Sequence, residues 1–426
     1  MVVSPLALLP GWHFGGLYPL LLAAVGTCLV VGALVLKRPH RRPVPPSVLY
    51  VLLGALGAVC LALLDVNPLG PESDHELLER LCELALVVAV FSAGLTIERH
   101  VERRSLASIA ILLIVVMPLT ILAIAAFGVW AMGLSFGAAL VLGAVLAPTD
   151  PVLAGNVGLT APGGEVLGEP RLSLHTEAGF NDGLASPFVV LGLFAVTDGG
   201  TAWLSTWALA DLLYGAGFAL ALGALSGYLT ARALTMAERM LSDALQPFAV
   251  VGFALVLYGV TEVLGAYGLL AVFAAGFTFR RYEFDHHVHH AAHRGTEATG
   301  KTLELVVLVM LGSMLTTDGL GAPGLAGWLL VPVLLVLIRP GLVVATLGRW
   351  PLDLRGAIFL GFFGVRGVAA LFYAAVVVDS GALSTREQHV VVWTTIVCVV
   401  SSIIVHGLTA APLTRRLAQR DAGAND

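Results

Sequence analysis

Residues 134–155 read LSFGAALVLGAVLAPTDPVLAG, an apolar run with a single ionisable side chain, Asp150, held between Pro148 and Pro151. The run is long enough to cross the roughly 30 Å hydrocarbon core of a bilayer as a helix. The two prolines remove backbone donors and clash with carbonyls one turn back, so the helix is expected to break at Thr149 and Asp150. Broken backbone at membrane depth is tolerated only where it is buried in protein or lines a cavity. An ordinary proline kink is the weaker reading, because an acid stands between the prolines.

The rest of the chain supports a membrane reading. Of 426 residues, 58% are hydrophobic and 12% charged, against roughly 25% charged in a soluble domain. Apolar runs predict thirteen spans, near residues 15–36, 47–66, 77–98, 107–131, 134–155, 172–196, 205–231, 246–263, 265–279, 301–317, 325–347, 356–378 and 389–412. An odd count puts the termini on opposite sides. Nineteen of the 23 Lys and Arg fall on one set of alternate connections, only Arg80 and Arg386 on the other, and Arg339 and Arg366 within spans. Under the positive-inside rule the N-terminus is outside and the C-terminus cytoplasmic. The first run is followed, not preceded, by its basic residues (Lys37, Arg38, Arg41, Arg42), which argues against a cleaved signal. Connections are short, so no soluble regulatory or nucleotide-binding domain is expected. All four cysteines lie in apolar runs, where free Cys behaves as a small hydrophobe, and no basic run accompanies exposed aromatics, so nucleic acid is not an expected partner. Only two basic residues are Lys, a bias that fits a GC-rich bacterial genome and an inner-membrane location.

Ionisable residues inside spans cost ~2.5–3.5 kcal/mol on insertion scales and default to a functional reading. Besides Asp150 they cluster in three places. In the stretch Leu172 to Gly183, Glu177 and Asn181 stand four apart on one helix face with Asp182 turned about 100° further round. Arg339 precedes Pro340 and Gly341 among Val and Leu, and it stays protonated, so it needs a carboxylate or a carbonyl cage. Arg366 stands among Gly361, Gly364 and Gly367, which permit unwinding. A Pro-flanked break in one half and a Gly-interrupted one in the other is the pattern of transporters built from inverted repeats. His175, Glu83, Glu262 and Glu304, in or near apolar spans, read as helix-packing or interfacial residues. His286, His287, His289, His290 and His293 crowd one connection; they are candidates for pH sensing, against the blander reading of a solvated loop.

Taken together, Phe91-Ser92-Ala93-Gly94-Leu95, Ala147-Pro148-Thr149-Asp150-Pro151, Glu177 with Asn181-Asp182-Gly183, Arg339-Pro340 and Gly364-Val365-Arg366-Gly367 resemble the prokaryotic sodium/hydrogen exchanger family, electroneutral branch, over essentially the whole chain. The resemblance implies an all-α polytopic protein of about thirteen helices with inverted repeats. It implies two crossed, unwound helices in a core domain, with spans near 107–196 and 301–378, and a dimerisation domain in a homodimer. By it, Asp182 resembles the essential Asp that binds the metal cation, Na⁺, and carries the proton. Asn181 resembles its neutral companion, and Thr149 and Asp150 the crossing-point residues. Glu177 resembles the acid of a structural ion pair, with Arg339 the first choice of partner and Arg366 the second. Many relatives carry Ser directly after that Glu; here it is Ala178, so one side-chain oxygen is missing.

The implied activity is antiport of Na⁺ or Li⁺ for H⁺ by alternating access, with no enzyme chemistry and no cofactor beyond the transported ions. One carboxylate beside a neutral Asn implies 1:1, electroneutral exchange. K⁺/H⁺ exchange is the alternative within the class. A passive channel is disfavoured by the buried arginines, and a membrane metalloprotease by the lack of a His-Glu-x-x-His motif in any span.

Overall fold

The computed structural model describes residues 26–27, 30, 45–63, 69–97, 103–150, 168–197, 202–236, 245–282, 288–350 and 352–422. All of the expected first span except residues 26–27 and 30, and the five residues of the fifth beyond Asp150, lie outside the described residues. Among those described, the chain is helical: α1 (Pro46–Ala62), α2 (His75–Leu95), α3 (Arg103–Met132), α4 (Phe136–Leu146), α5 (Gly168–Thr197), α6 (Trp203–Leu234), α7 (Gln246–Val263), α8 (Gly268–Tyr282), α9 (Val288–Ser313), α10 (Gly324–Leu347), α11 (Leu354–Phe362), α12 (Val368–Ser380) and α13 (Thr385–Ala422). Helices α3, α6, α7 and α10, with most of α5 and α13, are long and apolar enough to cross a membrane.

Local chemistry sets where these helices begin and end. Ser135 caps α4, its hydroxyl accepting from the Ala138 amide at 3.3 Å. Asp353 caps α11 through the Gly356 amide at 2.9 Å. Such caps satisfy donors that the first helical turn leaves open. Helices α3 and α12 stop at Gly133 and Gly381, both with φ near +60° (66° and 59°), a conformation that costs glycine least. In α10 the backbone widens into a π-helical turn over Val333–Ile338, immediately before Arg339-Pro340. Pro340 has no N–H to offer the turn behind it, and the widening accommodates its ring.

Two of the expectations differ from the structure at element level. The connection expected between the spans 265–279 and 301–317, about Arg280 to Gly300, is helical from Val288, where α9 begins. Pairs at helical spacing support the extension: Lys301 Nζ lies 2.6 Å from Glu297 Oε1, and His293 Nδ1 lies 3.7 Å from Glu297 Oε2. Such i,i+4 pairs stabilise an exposed helix without membrane or core. The expected span 356–378 is two helices, α11 and α12, separated at Phe363–Gly367.

Packing sorts the helices into two groups. Helix α9 lies against α1, α2 and α7, and α8 against α2, α6 and α7; α3 lies against α4, α4 against α5, and α13 against α4, α10 and α12. The groups meet where α2 packs on α5 and α12, α6 and α8 pack on α5, and α1 packs on α13. Helix α9, whose second half falls in the stretch 301–378, packs on α1 and α2, while α13 packs on α4, α10 and α12 and also on α1.

Candidate functional site

The break after α4 and the break between α11 and α12 lie against each other. The Asp150 amide donates to Val365 O at 2.8 Å. Arg366 reaches across, its Nη1 donating to Ala147 O at 2.6 Å and Pro148 O at 2.8 Å. Asp150 reaches the other way, its Oδ2 accepting from the Val368 amide at 3.1 Å, at the start of α12. A cation therefore caps the carbonyl end of α4 and an anion caps the amide end of α12, each at the helix pole of opposite sign. Glycine makes this approach feasible: a Cβ on Gly367 would run into the Asp150 carboxylate, and one on Gly364 into the Arg339 guanidinium. The Arg366 amide is held from behind by Ser402 Oγ at 2.9 Å. That hydroxyl sits 3.0 Å from His406 Nδ1, and His406 Nε2 lies 2.7 Å from Phe362 O.

Beside the breaks, α5 contributes three consecutive functions on adjoining faces. Glu177 meets Arg339, whose Nη2 donates to Oε1 at 3.0 Å and to Oε2 at 2.7 Å, both side chains being buried. Asn181 is a brace: Nδ2 donates to Thr149 Oγ1 at 3.0 Å and Glu177 Oε1 at 3.2 Å, and Oδ1 accepts from the Thr149 amide at 3.2 Å. The broken α4 segment is thereby tied to α5. Asp182 is different. It is 2% exposed, neither arginine forms an ion pair with it, and its Oδ1 is buried with no hydrogen-bond partner. Its backbone carbonyl accepts from the Tyr373 hydroxyl, which in turn lies 2.8 Å from Ser186 Oγ.

Asp182 faces a small cavity lined by Ala85, Leu86 and Ala89 of α2, Asp150, Val368 of α12 and Glu304 of α9. Among the described residues no three His, Cys, Asp or Glu side chains stand close enough to hold one metal ion together. The arrangement suits a small cation that meets one carboxylate at a time and leaves again.

The structure thus brings together Thr149, Asp150, Glu177, Asn181, Asp182, Arg339 and Arg366. Of the histidine cluster, His286 and His287 lie outside the described residues, as do the surroundings of His289 and His290; His293 is half-buried beside Glu297. Sequence reasoning did not place Tyr373, Ser402 and His406 around the site, since one hydroxyl or imidazole in an apolar helix carries no signal of direction. Glu304, expected as a helix-packing or interfacial residue, lines the cavity.

Compared with known proteins, residues 25–416 match the family described as sodium/hydrogen exchanger, transmembrane. The chain belongs to the sodium/hydrogen exchanger family. It is therefore a multi-pass membrane protein of a transporter family. It is 32% identical over 324 residues to Na(+)/H(+) antiporter 2 of Zygosaccharomyces rouxii, covering 72% of this chain and 40% of that protein. It is 28% identical over 394 residues to a Na(+)/H(+) antiporter of Saccharomyces cerevisiae, covering 84% of this chain and 39% of that one. The chain thus spans about two fifths of the length of these relatives. In fold it resembles the sodium proton antiporter MjNhaP1 from Methanocaldococcus jannaschii, with a TM-score of 0.76 at 19% identity, over 92% of this chain and 100% of that one.

Proposed function

We propose that this sodium/hydrogen exchanger family member trades Na⁺ for H⁺ across the membrane by alternating access, with Asp182 as the carboxylate for which both ions compete. The observation that carries the reading is the Asp182 carboxyl, buried at a cavity with Oδ1 unengaged, while Glu177 is held by Arg339 and Asp150 caps α12. A lone buried carboxylate is costly unless neutralised. A bound cation or a proton neutralises it equally well, and each excludes the other. Loaded forms cross the low-dielectric barrier and the empty, charged form does not, which couples the two fluxes.

The moving body in this reading is α3–α5 with α10–α13, sliding against α1, α2 and α6–α9. The latter group supplies the contact of a homodimer. Glu177 with Arg339 is a structural ion pair. Asn181 leaves one proton-accepting carboxylate at that position of the helix, so exchange is 1:1 and electroneutral. The charge bias of the connections puts the N-terminus outside and the C-terminus in the cytoplasm, and the composition suits a bacterial inner membrane.

Purified protein in proteoliposomes with an internal pH dye tests this directly. Na⁺ or Li⁺ added against a proton gradient is expected to dissipate it saturably in the wild type and not in Asp182→Asn. Dissipation that survives the substitution removes Asp182 from the mechanism. A K⁺/H⁺ reading is favoured by one observation: the chain is 25% identical over 338 residues to the K(+)/H(+) antiporter NhaP of Alkalimonas amylolytica. A response to K⁺ exceeding that to Na⁺ in the same vesicles would select it.

A further inference from the structure

Glu304 stands on α9, a helix whose main packing partners are α1, α2 and α7. It is 2% exposed, within a polytopic chain where buried acids are rare. It nevertheless lines the same cavity as Asp150 and Asp182. The α2 residues that line this cavity are apolar, Ala85, Leu86 and Ala89. In the same cavity, Asp182 Oδ1 is buried and without a hydrogen-bond partner, so the cavity offers a ligand oxygen that the protein itself does not use. The position after Glu177 adds none, because it is Ala178.

We propose that Glu304 is a second cation-handling carboxylate of the transport site, contributed by the opposite helix group, which receives the arriving monovalent cation and hands it to Asp182. Among the described residues no three acidic, His or Cys side chains form a metal-holding group, and in this proposal the ion passes from one carboxylate to the other. The inference rests on the exchange reading above, and it adds an asymmetry. Asp182 and Asp150 travel with their helices while Glu304 stays, so Glu304 shares the cavity in this conformation and is withdrawn from Asp182 in the alternate one. Cation entry from one membrane face then depends on Glu304 and entry from the other does not.

The test uses the full chain in proteoliposomes of uniform orientation, with Na⁺ dependence measured separately from each face. Glu304→Gln is expected to raise the KM for Na⁺ about tenfold at one face, a factor that corresponds to about 1.4 kcal/mol, and to leave the other face and kcat within about twofold. Glu304→Asp keeps the charge but retracts it by one methylene; it is expected to give a smaller rise, about threefold, at the same face. A merely structural role would change both faces together. Unchanged KM at both faces, or equal rises at both, overturns the proposal. If Glu304→Gln does not accumulate, Glu304→Asp decides alone by the same criterion. Asp182→Asn run in parallel separates the two ideas: exchange surviving there sinks the exchange reading, whereas loss there with unaltered Glu304 variants sinks only this one.

Discussion

Glu177, Asn181 and Asp182 show how position on one helix separates three chemistries. Glu177 and Arg339 neutralise one another in a buried pair. Removing one partner strands the other, at a cost of about 3–5 kcal/mol. Glu177→Gln is therefore expected to lower the melting temperature in detergent and the yield of folded protein, with little change in Na⁺ affinity of what remains. A stable variant that has lost Na⁺ affinity would make Glu177 a ligand instead. Asp182→Asn should behave in the opposite way. It replaces a buried carboxyl whose Oδ1 has no partner by a neutral amide of the same shape, so the melting temperature is expected to hold or rise while transport is lost. Of these roles, the sequence made the cost of burying each residue legible, because an acid or arginine in an apolar span must be explained. It left open which arginine meets Glu177, since Arg339 and Arg366 are both buried cations within reach of an acid. Their actual partners, a carboxylate for one and two carbonyls for the other, depend on where α10 and the α11–α12 break lie around α5.

At the scale of elements, the two breaks are held by reciprocal capping. Proline and glycine made both breaks predictable, because each acts on its own backbone. That Arg366 would close the end of α4, and Asp150 the start of α12, was not predictable, because the partners lie more than 200 residues apart. Arg366→Met would leave the Ala147 and Pro148 carbonyls short of a donor, at ~1–3 kcal/mol for a buried group so stranded. The expected outcome is a lower melting temperature and a greatly reduced kcat although Asp182 is intact; normal transport would deny the cap a role. Gly367→Ala is expected to reproduce that loss by pressing its methyl into the Asp150 carboxylate. The connection before Gly300 shows the converse limit of pattern reading. A polar, His-rich stretch has no apolar face to betray a helix, yet Glu297 and Lys301 stabilise one locally.

For the molecule as a whole, the boundary between the two helix groups is the surface on which alternating access would operate. Leu86 of α2 and Val368 of α12 line the cavity from opposite sides of it. Leu86→Cys with Val368→Cys, joined by a short bis-thiol reagent in a background without the exposed Cys60, is expected to stop exchange, and cleaving the linker should restore it. Transport that continues through the cross-link would exclude relative motion at this surface. The balance of charge moved is likewise a property of the whole cycle. Equal counts of Na⁺ and H⁺ predict no current at any voltage, and a current that reverses at the potential for two H⁺ per Na⁺ would refute the 1:1 stoichiometry.

The amino-acid sequence by itself determined that the chain is a helical membrane protein, where its helices break, and which side chains are too costly to bury without purpose. Those properties follow from hydropathy, proline, glycine and charge, each of which acts within a few residues of itself. Only the tertiary structure decided that Arg339 takes Glu177, that Asn181 braces Thr149, that Asp182 keeps a bare oxygen, and that Glu304 lines the same cavity. Those facts are distances between helices remote in the chain, and they are set by how apolar faces pack, which no local pattern encodes.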